Sequence, residues 1–225
     1  MDAVCRDVMT SSPGQVHVID DDADLRQSME GLLRFVGYEV GIWPHARAYL
    51  DATPVHVLPT VIVTDMRMPE LSGLDLHEAL LRSGQAVPVV YISGESSLQQ
   101  SIAAMKLGPV DFLLKPFTAQ ELLDSVAKGM DRARQMRQRR CALKDLEEKL
   151  ARLSPRERQV YELLCKGFNN AEIMAVMGIS LPTAKQYKTT VMRQLAVGSM
   201  AQLLAMAQAA EPGQRLAYDL PMDKS

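Results

Sequence analysis

Through the first half of the chain, short apolar runs alternate with longer stretches of helical period. The runs are QVHVI (15–19), YEVGI (38–42), PTVIVT (59–64), PVVYI (88–92) and DFLL (111–114). Runs of this length, rich in Val, Ile and Tyr and bounded by turn residues, read as strands. Between them, 23–37, 45–51, 74–84, 96–107 and 118 onward place apolar residues every three or four positions and predict helices. Gly37, Gly84 and Gly108 fall where three of those helices should stop. Five such strand–helix units imply an α/β domain: a five-stranded parallel sheet, doubly wound, with helices on both faces.

From Thr118 the helical pattern does not stop. Leu122, Val126, Met130 and Ala133 continue it; Met136, Leu143 and Leu150 then fall seven apart, as do Leu146 and Leu153. This short heptad stripe over 128–153, interrupted by Arg139, predicts a long linker helix that either pairs with a second copy as a coiled coil or packs on its own domain. Gly129 is a weak point in it by propensity. Ser154-Pro155-Arg156-Glu157 opens a second, all-α domain over 154–210. Ser154 suits the N-cap, Pro155 the first helical position, and Glu157 closes a capping box. Four short helices follow at about 155–166, 170–177, 181–195 and 199–209. Residues 1–14 and 211–225 read as a flexible N-terminus and a loose tail.

Composition changes this picture little; charge changes it more. At 225 residues and 47% hydrophobic, the chain holds two modest globular domains. No apolar run approaches the ~18 residues of a membrane span, and residues 1–14 lack the apolar core of a signal peptide. The three cysteines, Cys5, Cys141 and Cys165, stand far apart, suggest neither a disulfide framework nor a zinc site, and fit a reducing cytoplasm. Residues 1–127 hold 17 acids and 8 bases, net −9; 128–153 hold 9 bases and 4 acids, net +5; 154–209 hold 6 bases and 3 acids, net +3. An acidic half followed by a basic half suggests metal or phosphate chemistry first and a polyanion second.

The candidate chemistry sits where the strands end. Asp20 and Asp21 follow the first run, Asp65 the third, Ser93 the fourth, and Lys115-Pro116 the fifth. In a parallel sheet, residues just past the carboxyl ends of strands converge on one crevice. Three carboxylates there suit magnesium, a hard cation that prefers oxygen ligands. Asp65 can act as a nucleophile on a phosphoryl group, with Lys115 as the neutralising cation and Ser93 as a hydroxyl donor. A magnesium phosphatase is the competing class. It would want a second acid soon after the nucleophile and a substrate cap, whereas Asp65 is followed by Met-Arg-Met-Pro and no cap insertion is present.

The segments VHVIDDDADLR, VIVTDMRMPELSGLDL, VVYISG and DFLLKPF resemble the receiver domain of two-component response regulators over residues 15–127. The resemblance implies a flavodoxin-like fold, with Asp65 as phosphoacceptor and Mg2+ held by Asp20, Asp21, Asp65 and the backbone carbonyl of Arg67. It implies that Ser93 and Phe112 form a switch pair, that Lys115 binds the phosphoryl group, and that the Lys115–Pro116 bond is cis. Pro69 and Gly73 would shape the loop after the acceptor, and Asp22 would face solvent or cap a helix. Beside what the resemblance implies, Arg67 and Glu95, two residues after Asp65 and Ser93, should overhang the pocket, where their opposite charges could pair across its mouth and slow water attack on an acyl phosphate.

In the second domain a scaffold helix (NAEIMAVM), a turn (Gly178-Ile179-Ser180) and a following helix have helix-turn-helix spacing. Ile173, Val176, Met177 and Ile179 should form the core, with Ala184, Val191 and Leu195 on the inner side of the next helix. Thr183, Lys185, Gln186, Lys188 and Thr189 are left on the outer face, where amide and cationic groups suit base edges and phosphates. LSPRERQVYELLCKGFNNAEIMAVMGISLPTAKQYKTTVMRQLAV resembles the LuxR-type helix-turn-helix of the FixJ/NarL response regulators. Ala184 stands where that family usually has Val, and Tyr187 where it usually has His. Tyr187 can still donate to a phosphate, and Arg193 extends the DNA-facing set.

These readings converge on a regulator of transcription rather than an enzyme. A sensor histidine kinase would be the phosphodonor, double-stranded DNA the target, a homodimer the phosphorylated form, and RNA polymerase the partner an activator would meet. The alternative is a regulator of the same fold that acts unphosphorylated and dimerises through its linker helix.

Overall fold

The computed structural model describes residues 14–52, 58–94 and 98–210. Residues 1–13, the tail at 211–225, Glu95 and the first two residues of the helix expected at 96–107 lie outside the described residues. The chain divides into two compact units, the first ending at Arg137 and the second starting at Gln138.

In the first unit, β1 (Gln15–Ile19), β2 (Glu39–Trp43), β3 (Thr60–Asp65), β4 (Val89–Ser93) and β5 (Asp111–Leu114) alternate with α1 (Ala23–Phe35), α2 (Ala46–Ala52), α3 (Gly73–Arg82), α4 (Leu98–Lys106) and α5 (Ala119–Ala151). All strand pairs are parallel, in the order β2-β1-β3-β4-β5. The order reverses between β1 and β3, and the crevice outside their carboxyl ends is where an open parallel sheet binds ligands. β3 is buried along its whole length, which explains why its centre, Val61-Ile62-Val63, shows no alternation of apolar and polar residues. Val16, Val18, Val61 and Val63 face α1 and α5, where Leu33, Leu122, Val126 and Met130 close one core. Ile62, Tyr91, Leu76, Leu80 and Tyr49 build the other on the opposite face. Each such side chain contributes about 1.5–3 kcal/mol by burial.

Local signals end the elements as their chemistry requires. Gly37, Gly84 and Gly108 have φ of 95°, 74° and 68°, values that a Cβ opposes. Asp22 is the N-cap of α1, its carboxylate accepting from the amides of Asp24 and Leu25. Gly129 is a packing residue: a Cβ there would stand 2.9 Å from Val61 Cγ2, so its absence lets α5 lie close on β3.

The second unit contains the end of α5, then α6 (Pro155–Cys165), α7 (Asn170–Met177), α8 (Leu181–Gln194) and α9 (Met200–Ala210). The capping box of α6 is present, with Ser154 N donating to Glu157 Oε2 (2.7 Å) and Glu157 N to Ser154 Oγ (3.3 Å). Asn169 and Glu172 form a second box on α7. Leu146 and Leu153 of the heptad stripe are buried in this unit's core with Val160, Leu164, Ile173, Ala184 and Val191, and Leu150 packs against it. Val176 departs from the expected core, being 55% exposed. Ile173 and Met177, one helical turn apart, take the inner face of the short α7, and Val176 lies round the helix from both.

Candidate functional site

The acidic pocket is assembled from strand ends. Asp65 and Ser93 are the last residues of β3 and β4, and Asp20 directly follows β1. Asp20 is fully buried, Asp65 nearly so, and Asp21 is exposed. Their carboxylates place one oxygen each within 4.8 Å of one another. Three hard oxygen donors at this separation fit a divalent cation such as magnesium. Asp22, the fourth acid in reach, has its carboxylate taken up by the cap of α1.

Lys115 closes the pocket from the β5 side. Its Nζ lies 2.9 Å from Asp20 Oδ2 and makes a short contact with Asp65 Oδ2. The Lys115–Pro116 peptide is cis. Burial alone would lower the lysine's pKa, but hydrogen bonds to and charges of Asp65 and Asp20 outweigh it, so the group is held above its ordinary value and stays protonated. Asp20 moves the other way: burial raises its pKa against the opposing pull of Lys115 and the Asp22 amide. A buried carboxylate of this kind is stabilised by added positive charge.

Backbone contacts hold Asp65 in place. Arg67 N donates to Asp65 Oδ1 at 2.8 Å, leaving the other oxygen to Lys115. Gly73, at the start of α3, abuts the Asp65 carbonyl oxygen so closely that a Cβ would overlap it. Arg26, one turn into α1, donates to the Asp20 carbonyl. The only sequence signal for that clamp is its place six residues after Asp20. Arg67 is exposed beside the pocket; Glu95, its expected partner, lies outside the described residues.

Ser93 is 2% exposed, and its hydroxyl has no hydrogen-bond partner among the described residues. Buried hydroxyls ordinarily find partners, so this one fits a ligand oxygen. Phe112 is half-buried in the ladder position beside Tyr91, with ring centroids 5.3 Å apart. Tyr91 in turn meets His77 Nδ1 at 2.8 Å through its hydroxyl. That buried pair was not legible in the sequence, because His77 looks like any inward position of an amphipathic helix.

In the helical unit, Ala184, Val191 and Leu195 point inward and Lys185, Gln186, Thr189 and Arg193 outward. Thr183 and Lys188 are half-buried, and Tyr187 packs against the unit's own core. Thr183 Oγ1 lies 2.8 Å from the N-cap hydroxyl of Ser180. Thr189 Oγ1 donates back to the Lys185 carbonyl at 3.0 Å. Lys185, Gln186 and Arg193 are therefore the outer-face groups with ends directed to solvent.

Residues 16–127 match the response regulator receiver domain, and residues 151–207 match the family of bacterial regulatory proteins, luxR family. The chain is 37% identical over 198 residues to nodulation protein W of Bradyrhizobium diazoefficiens, covering 88% of this chain and 87% of that one. It is 38% identical over 192 residues to the transcriptional regulatory protein FixJ of Azorhizobium caulinodans, covering 85% and 90%. Among solved structures, the response regulator StyR is similar with a TM-score of 0.72 at 34% identity, covering 87% of this chain and 98% of that one. Full-length FixJ from B. japonicum gives 0.53 at 33%, covering 89% and 98%. With an acidic strand-end pocket in one unit and a helix-turn-helix in the other, the chain belongs to the two-component response regulators of the FixJ type, transcription regulators that join a receiver domain to a LuxR-type DNA-binding domain.

Proposed function

We propose that this regulator is switched by phosphorylation of Asp65 in a His-Asp phosphorelay and binds double-stranded DNA as a homodimer. The observation that carries this reading is the pairing of Asp65 with Lys115 near the buried hydroxyl of Ser93, which has no hydrogen-bond partner among the described residues. A carboxylate, a cation and a free donor are what an acyl phosphate needs around it.

A sensor histidine kinase supplies the phosphoryl group. Asp65 Oδ attacks phosphorus, an O–P bond forms, and the P–N bond to the kinase's imidazole breaks. Asp20, Asp21, Asp65 and the Arg67 carbonyl would hold Mg2+, whose charge offsets that of the phosphoryl oxygens. Lys115 keeps its contact to Asp20 while its bond to Asp65 passes to a phosphoryl oxygen. Ser93 donates its hydroxyl to another, and Phe112 follows inward. The face that then pairs is marked by the exposed apolar side chains of Ile102 and Met105 on α4 and Leu114 on β5. Pairing sets two α8 helices at half-sites about one helical turn apart. Lys185, Gln186, Thr189 and Arg193 meet the duplex, with Thr183, Tyr187 and Lys188 at the margin of the contact. The switch is a shift between existing conformations. The protein works in the cytoplasm; among the described residues no helix is long and apolar enough to cross a membrane. If it activates, RNA polymerase is its further partner.

Pairing through the linker helix alone is the weaker reading. Leu146 and Leu153 are spent inside the helical unit, which removes the second half of the heptad seam from any partner.

The test compares wild type with Asp65→Asn, each with and without acetyl phosphate and magnesium, by sedimentation and by binding to duplex DNA. Dimerisation and tighter DNA binding confined to phosphodonor-treated wild type is the expected result. Two proteins equally dimeric and equally tight under all conditions would refute the proposal.

A further inference from the structure

Tyr91 and Ser93 lie two apart on β4 and so face the same side of the sheet. Phe112 stands beside Tyr91 in the β4–β5 register. One end of this strand thus carries the Ser93 hydroxyl, which has no hydrogen-bond partner among the described residues, and the Tyr91 ring that packs on Phe112. Tyr91 is fully buried, with a ring tilted 35° to that of Phe112. A buried phenol is not held by packing alone. Its hydroxyl meets His77 Nδ1 at 2.8 Å, and His77, itself 1% exposed, rides on α3. α3 starts at Gly73, the residue seated on the Asp65 carbonyl. The helix anchored at the acceptor therefore also fixes the ring under the switch aromatic. Nothing in the phosphoryl chemistry requires a polar pair here, and an apolar pair would fill the same core without desolvating two polar groups.

We infer that His77 and Tyr91 are positioning residues for the switch: their hydrogen bond locks the Tyr91 ring as the seat of Phe112 and holds Phe112 in its resting position until Asp65 is phosphorylated. The inference rests on the phosphorylation reading above. With the bond intact, the Tyr91 ring is held in place, and its tilted contact favours the half-buried placement of Phe112. With it broken, the seat loosens, and Phe112 samples the inward placement without a phosphoryl group. The pair thus sets the resting population of a two-state element rather than the chemistry at Asp65.

The experiment labels the full chain with fluorophenylalanine. Its four phenylalanines give four fluorine resonances, and Phe112 is assigned through Phe112→Leu. Spectra are taken with and without magnesium and beryllofluoride, a phosphoryl mimic. His77→Leu removes the hydrogen bond that Tyr91 makes to α3. His77→Asn places an amide atom close to where Nδ1 stands and should keep the bond. Tyr91→Phe breaks the bond from the other side, its added resonance identified in the double variant with Phe112→Leu. The expected result is a mimic-induced shift of Phe112 in wild type and His77→Asn. In His77→Leu and Tyr91→Phe the mimic-free resonance should already lie a third or more of the way to the mimic-bound position, and self-association without phosphodonor should rise about threefold or more. A merely structural pair would lower thermal stability in both breaking variants and leave the mimic-free Phe112 resonance at its wild-type position; that result overturns the inference while the phosphorylation reading stands. A wild-type Phe112 resonance indifferent to the mimic removes both.

Discussion

Lys115 Nζ stands 2.9 Å from Asp20 Oδ2, although 95 residues separate the two in the chain. The contact joins the ends of β1 and β5, which are not neighbours in the sheet. It sets the electrostatics of the pocket, because Asp20 is fully buried and Lys115 is the cation that compensates it.

Replacing Lys115 with Met should therefore expose the cost of a crowded acidic pocket. Without the ammonium, Asp20 and Asp65 face each other with no counter-charge, and stability at neutral pH should fall by about 3 kcal/mol. Magnesium should restore more stability to Lys115→Met than it adds to wild type, since it supplies the missing positive charge. Urea denaturation with and without excess magnesium checks this; equal magnesium effects on both proteins would refute it.

Burial lowers the pKa of His77 from 6.5 to about 4, with the Arg132 charge acting in the same direction. The folded protein thus resists a proton that the unfolded chain accepts. The stability this contributes is complete above pH 6.5 and is lost as pH falls from 6.5 toward 4. The full effect is about 3 kcal/mol. His77→Asn cannot titrate and should show a flatter stability profile between pH 7 and 5. Denaturation midpoints at several pH values measure it, and parallel profiles for the two proteins would refute it.

Gly129→Ala tests the close approach of α5 to β3. A methyl group 2.9 Å from Val61 Cγ2 must push the helix or turn the valine. Overpacking of this kind costs about 1–3 kcal/mol, outweighing the roughly 1 kcal/mol that alanine gains over glycine by helix propensity. The variant should melt below wild type. A higher melting temperature would mean the valine yields freely.

On α8, Gln186 presents an amide that can meet adenine through two hydrogen bonds. Gln186→Ala should relax selection at one base pair per half-site, worth about 1–3 kcal/mol of discrimination. Lys185→Ala should weaken all duplexes alike and reduce the salt dependence of binding by about one charge. Selection from a randomised duplex library, followed by salt titration, separates the two. Identical consensus sequences for wild type and Gln186→Ala would remove Gln186 from base readout.

The acidic strand-end pocket was legible because its geometry follows from local rules. Five apolar runs of strand length, alternating with helices, imply a parallel sheet, and such a sheet gathers whatever stands at the carboxyl ends of its strands. Asp20, Asp21, Asp65, Ser93 and Lys115 could thus be brought together without knowing any contact between them. The cap at Ser154 and the glycines ending α1, α3 and α4 were legible for the same reason, each depending on residues within a few positions, while the sequence left Asp22 between solvent and a helix cap. Choices between faces were not legible. Leu146 and Leu153 satisfy a heptad equally well in a coiled coil or in their own unit's core, and only the packing of α6 and α7 against them decides for the core. Val176 fits the apolar pattern of α7, yet Ile173 and Met177 take its inner face and Val176 is left exposed. Gly129 looks like a helix weakness until Val61 is seen against it. His77 and Tyr91 each read as interior positions, and their hydrogen bond depends on the packing of α3 against β4. The sequence by itself determined the elements, their order and the strand-end chemistry, since these rest on periodicity and short-range bonding. The tertiary structure alone decided which buried polar groups pair and which apolar faces are spent, since those depend on distances between elements that no local pattern encodes.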